Sequence, residues 1–141
     1  MQTTIEWIED VHFKAQADSQ HTVLIDGPPD AGGKNRGARP MELMLMGVGG
    51  CTSFDVVNIL TKARQDIRKF VTRITAERAA DIPQVFEHIN IHFDIEGTGI
   101  DAKRVQRAID LTADKYCSAS IMMVRAGAQV SHTFTISEPA G

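Results

Sequence analysis

The chain holds two cysteines among 141 residues, Cys51 and Cys117, and these are the side chains whose type could carry redox chemistry. A thiolate cleaves the O–O bond of a peroxide, for which its pKa must be lowered by a cation or a helix N-terminus. The sulfenic acid that forms is then condensed by a second thiol into a disulfide. Each cysteine sits among small residues beside an expected helix: Gly49-Gly50-Cys51-Thr52-Ser53 and Cys117-Ser118-Ala119-Ser120. The opposite reading is that both are inert small hydrophobes, since free cysteine is among the most buried residue types. A disulfide scaffold is not needed, because a chain of this length buries a core of its own and two cysteines are too few to staple a small secreted domain. A reduced or cycling pair is expected.

Composition narrows the classes. With 15 Lys+Arg against 18 Asp+Glu and a formal net charge of −3, the chain has no basic stripe for nucleic acid. Met1 to Glu9 lacks a charged n-region, an apolar h-region and a cleavage site, so no signal peptide is expected. Glu42, Asp55 and Asn58 interrupt the longest apolar stretch, so no membrane span is expected either, and a cytoplasmic location follows by default. The length suits one compact domain.

The elements that would position the thiols read as α+β. Ile5 to Glu9, Val11 to Ala15 and His21 to Asp26 are short, rich in β-branched and aromatic residues, and predict two or three antiparallel strands. Gly27 to Arg39, rich in glycine and basic residues with two prolines, predicts a mobile loop of the kind that also supplies lids and binding loops. Pro40 opens the longest helix, expected from about Pro40 to Ala63, with Glu42 complementing the dipole in its first turn. Apolar residues surround most of its circumference, which predicts burial on several sides and, in so short a chain, a dimer interface. Gly47, Gly49 and Gly50 each cost roughly 1 kcal/mol of helix propensity relative to alanine. The helix must therefore break there or pack closely against another backbone. Phe70 to Arg78 and Glu87 to Glu96 alternate as strands, with Ile89, Ile91, Phe93 and Ile95 on one face. His88 and His92, with Asp94, share the other face, but four residues along a strand span roughly 13 Å, too far for ligands of one metal ion. Asp101 caps a helix from Ala102 to about Lys115, a helical segment from Cys117 to Arg125 ends at Gly127, and Gln129 to Ser137 closes the chain as a strand.

The run Pro40-Met41-Glu42-Leu43-Met44-Leu45-Met46-Gly47-Val48-Gly49-Gly50-Cys51, the later Lys115-Tyr116-Cys117-Ser118-Ala119-Ser120, and the strand order resemble the OsmC/Ohr family of small redox proteins, in its YhfA-like branch. The resemblance covers nearly the whole chain. It implies an OsmC-like fold, an intertwined homodimer in which an antiparallel sheet wraps long buried central helices, with active sites at the subunit interface. It also implies that Cys51 attacks an organic hydroperoxide or hydrogen peroxide and that Cys117 resolves the product as a disulfide. Electrons would come from a dithiol reductant, with no metal, flavin or nucleotide.

Two positions depart from the peroxidase pattern. Met41 stands directly after Pro40, where peroxidase members carry a glutamate, and Glu42 follows one residue later, turned about 100° around a helix. Leu24 is the nearest match to the family's strand arginine; Arg36 and Arg39 on the glycine-rich loop are the cations that could replace it. Two functions therefore stand side by side. One is a thiol peroxidase using Cys51 and Cys117, with Glu42, Arg39 and Arg36 as activators. The other is a non-catalytic dimeric scaffold whose Met41, Met44 and Met46 line an interface pocket for a small apolar or thiol-bearing ligand.

Overall fold

The computed structural model describes residues 1–140. The chain divides into two compact units, Met1–Met46 and Gly47–Gly141.

The first unit is a meander of β1 (Thr3–Glu9), β2 (His12–Ala17) and β3 (Thr22–Ile25), antiparallel in that order, with Trp7 opposite Phe13 and Lys14 opposite Leu24. The turns place Asp10 (φ 49°) and Gln20 (φ 71°) in the left-handed region, which the short side chain of Asp10 tolerates. The glycine-rich segment, expected to be mobile, is instead tied to one buried carboxylate. Asp26 accepts hydrogen bonds from the backbone N–H groups of Gly27 (2.8 Å), Lys34 (3.2 Å) and Arg36 (3.1 Å) and from Arg36 Nε (2.7 Å). The loop then returns beside β3, where Asp26 N donates to Ala38 O and Ala38 N to Leu24 O. Composition alone undervalued this loop, because polar contacts order it rather than apolar burial.

The second unit carries β4 (Asp66–Arg78), β5 (Phe86–Thr98) and β6 (Gln129–Ser137). β4 and β5 pair antiparallel over twelve matched positions, whereas β6 pairs parallel to β5. The all-antiparallel expectation is corrected here. β6 follows a helical crossover, α2 (Ala102–Leu111), a π turn (Thr112–Tyr116) and α3 (Ser118–Arg125), and such a crossover is the connection parallel neighbours require. The core face of β5 is the one its alternation predicts: Ile89, Ile91, Phe93 and Ile95 are buried, as are Val105, Ala108 and Ile109 of α2. Asp101 caps α2, its side chain accepting from Lys103 N at 2.9 Å.

Helix α1 (Pro40–Lys62) is continuous through its glycines and runs from the first unit into the second. Its buried positions in the second unit are Val48, Gly49, Thr52, Val56 and Leu60, one stripe at helical spacing. Gly49 has a steric reason: a Cβ built there would lie 2.5 Å from Ile74 Cδ1 on β4. Gly47 and Gly50 meet nothing within 4 Å. Ser53 completes the seat, its hydroxyl bonding Gly49 O (2.6 Å) and Thr72 Oγ1 (2.5 Å). By length and an 18-residue mean hydropathy of 1.5, α1 is long and apolar enough to cross a membrane, which the sequence expectation denied. The core helix of a protein passes the same test; within this chain one stripe of α1, Val48, Gly49, Thr52, Val56 and Leu60, is buried, and Phe54 is 73% exposed.

Candidate active site

Cys51 lies on α1 three residues past the start of the buried stripe and is half-buried; Cys117 is fully buried and is the N-cap of α3. Both are free thiols. The Cys51 Sγ, the Cys117 Sγ and a carboxylate oxygen of Asp55 all lie within 4.8 Å of one another. Asp55 joins because it follows Cys51 by four residues, one turn along the same helix face. The site thus rests on two regular elements, α1 and the start of α3.

Donors gather on Cys117. Ser120 N donates to its sulfur at 3.4 Å, in the geometry of an N-cap side chain, and the Thr52 hydroxyl stands 3.2 Å away. Thr52 Oγ1 is also 2.8 Å from Val48 O, so a Cys117 thiol can donate to the hydroxyl while the hydroxyl donates to that carbonyl. When Cys117 is a thiolate, the same hydroxyl can turn its proton to the sulfur. Burial by itself pushes the Cys117 thiol up. The Ser120 side chain, the Thr52 hydroxyl, the Ser120 N–H and the Cys51 thiol outweigh it, and the pKa is lowered.

The depressed pKa expected for Cys51 is corrected. Burial pushes this thiol up first, its bond to Cys117 and the negative charges of Cys117 and Asp55 push the same way, and the Ala119 N–H opposes them. In the reduced pair Cys117 is therefore the more acidic thiol and Cys51 the less acidic one.

The residues expected to activate the thiol have local duties in the first unit. Arg36 reaches Asp26 (Nε, 2.7 Å), Glu9 (Nη1, 2.8 Å) and Asp10 (Nη2, 3.4 Å), so three carboxylates face its guanidinium. These contacts raise its pKa and hold the Asp26 carboxyl well below the usual carboxylate range. Arg39 donates from Nη2 to Asn35 Oδ1 (2.5 Å), and its backbone N–H donates to Glu42 Oε1 (2.8 Å). Glu42 thereby accepts the backbone N–H that precedes the first turn of α1, the one half of a capping box that an arginine at the cap allows. His88 lies 3.4 Å from Glu77, and His92 bonds Thr133 and Asp94, both as strand-face contacts.

Sequence reasoning missed Thr52, Asp55 and Ser120. Asp55 had a signal in its i+4 spacing from Cys51, and Ser120 in its place three residues after a capping position. Thr52 had none, since its role depends on Cys117, 65 residues away.

The sequence model of the family described as OsmC-like protein matches residues 32–133. The protein YhfA of Escherichia coli (strain K12) is 39% identical over 136 residues, covering 96% of this chain and 98% of that protein. The crystal structure of an OsmC-like protein from Mycoplasma pneumoniae superposes with a TM-score of 0.81 at 18% identity over 96% of both chains. The organic hydroperoxide resistance protein OhrB of Bacillus subtilis gives a TM-score of 0.61 at 14% identity over 95% of this chain and 96% of its own.

Proposed function

We propose that this chain, which belongs to the OsmC-like protein family, reduces organic hydroperoxides through Cys51 and Cys117. The observation that carries the reading is the approach of the two sulfurs to within 4.8 Å on separate, regular elements. A disulfide between them needs only local movement of side chains and helix ends. The name of OhrB, a protein of the same fold, supports the choice of substrate class.

Cys51 is the more exposed thiol and meets a hydroperoxide first. As its sulfur attacks, its proton passes to the adjacent Cys117 sulfur, whose negative charge Ser120 N and Thr52 had been stabilising. The Cys51–O bond forms, the O–O bond breaks, and the departing alkoxide takes the proton back from Cys117 to leave as the alcohol. Cys117 thiolate then attacks the Cys51 sulfenic acid, forming the disulfide and releasing hydroxide, which is protonated to water. A dithiol reductant returns the pair to two thiols. In this scheme Cys117 serves as proton acceptor before it serves as resolver, and no arginine need face Cys51.

We also read the protein as a homodimer. In the first unit Ile5, Trp7, Val23 and Leu24 are between 44% and 63% exposed, and only Asp26 and Gly33 are buried. A three-stranded sheet with so little burial requires another surface. In the second unit Phe54 (73%), Met122 (68%) and Val124 (53%) are open in the same way. Met44 (46%) and Met46 (59%) are exposed as well, which suits a pocket between two copies, whereas the clefts along β4, β5 and β6 within the chain are lined by other residues.

The test is hydroperoxide consumption with a dithiol reductant. Cys51→Ser should abolish it, and Cys117→Ser should stop after one oxidation. A Cys51→Ser protein that consumes cumene hydroperoxide at the wild-type rate would sink the proposal.

A further inference from the structure

Asp55 is the part of the site that thiol chemistry does not use. Its carboxylate stands within 4.8 Å of both sulfurs, yet among the described residues it has no ion pair and no hydrogen bond. A negative charge beside a nucleophile that must itself become negative opposes the peroxidase step. Two thiols and a carboxylate converging on one point from two regular elements offer a cation three ligand atoms, the thiols giving up their protons as it binds.

We propose that reduced Cys51, Cys117 and Asp55 form a three-ligand site for a thiophilic divalent cation, zinc in particular. Two thiolates and one carboxylate suit zinc better than magnesium or calcium, which prefer all-oxygen shells. Tetrahedral zinc with Zn–S of about 2.3 Å places two sulfurs about 3.8 Å apart. Drawing ligand atoms together from within 4.8 Å therefore needs a contraction on the order of an ångström, which side-chain rotation supplies. The Cys51 to Asp55 spacing puts two ligands on adjacent turns of α1, and Cys117 contributes the third from the start of α3. The fourth position is left open to water or to a small anionic ligand. Bound metal and disulfide exclude each other, because the same two sulfurs serve both. A hydroperoxide that oxidises the pair must expel the ion, and the ion must shield the thiols from oxidation.

The experiment uses the full-length reduced protein, titrated anaerobically with cadmium as a spectroscopic substitute for zinc and then with zinc in competition. The expected result is one cadmium per chain with a thiolate-to-metal charge-transfer band, displaced by zinc and absent from Cys51→Ser and Cys117→Ser. Outer-shell partners of metal ligands cost 10- to 100-fold in affinity when removed. Loss of a direct ligand in Asp55→Asn should weaken binding by at least about tenfold. Circular dichroism of the variants checks that each is folded. Cadmium affinity unchanged in folded Asp55→Asn, or no charge-transfer band in the wild type, would overturn the site. Metal binding in a protein that consumes no hydroperoxide would leave the site standing and reject the peroxidase reading; peroxidase turnover without metal binding would do the reverse.

Discussion

Gly49 seats the helix that carries Cys51, and its substitution can be worked through from the structure. In Gly49→Ala the new methyl lies 2.5 Å from Ile74 Cδ1 and 3.5 Å from Ile74 Cγ1, so only the terminal methyl of Ile74 is in the way. Overpacking of a core by a methyl group costs typically 1–3 kcal/mol, while alanine for glycine inside a helix returns about 1 kcal/mol. The net expectation is destabilisation of up to about 2 kcal/mol. Ile74→Val alone should cost about 0.5–1.5 kcal/mol, as such truncations do. It also removes the one atom that clashes, so the double variant should be more stable than the two single costs predict, by on the order of 1 kcal/mol. Urea unfolding of the four proteins, with constant m-values, measures this coupling. Additivity within about 0.3 kcal/mol would refute the close approach of α1 to β4 at this point. Gly47→Ala supplies the contrast: with no atom within 4 Å, the methyl meets nothing in the chain itself.

Asp26 makes stability depend on acid. Its carboxyl is held below the ordinary range by Arg36 and by loop N–H groups, so its contribution is complete above the unfolded carboxylate pKa of about 3.9 and is lost as pH falls through lower values. Thermal unfolding across pH 2 to 6 should show this acid-side loss in the wild type and a shallower one in Asp26→Asn. Arg36→Met should destabilise the first unit by leaving Asp26 without its cation, read as faster proteolysis of the Gly27 to Arg39 segment; equal protection of that segment would contradict the anchoring role. Light scattering at micromolar concentration should give twice the 15.5 kDa chain mass, and a species at the chain mass would refute the dimer.

Much of this fold is legible in local pattern. The alternation of Ile89, Ile91, Phe93 and Ile95 fixes the core face of β5, Pro40 and Glu42 mark the start of α1, and Asp101 caps α2 as its type and position require. The parallel pairing of β6 is not legible, because it depends on the path of a crossover rather than on any residue in the strand. Nor is the π turn from Thr112 to Tyr116, which leads into the capping position of Cys117. The two cysteines stand out by type, but their unequal acidity comes from burial, which raises Cys51, and from Ser120 and Thr52, which lower Cys117; the burial and the Thr52 contact arise only when distant segments meet. Arg36 looks like a free loop cation in sequence; Asp26, ten residues earlier, holds it.

The central claim is that Cys51 and Cys117 act as one redox pair. Its most direct test is a mass measurement of each thiol after one equivalent of cumene hydroperoxide. The account predicts a two-hydrogen mass loss in the wild type, with Cys51 and Cys117 linked in a single cross-linked peptide, and a sulfenic acid on Cys51 alone in Cys117→Ser. Two unmodified thiols in the wild type, or overoxidised Cys51 beside reduced Cys117, would contradict it.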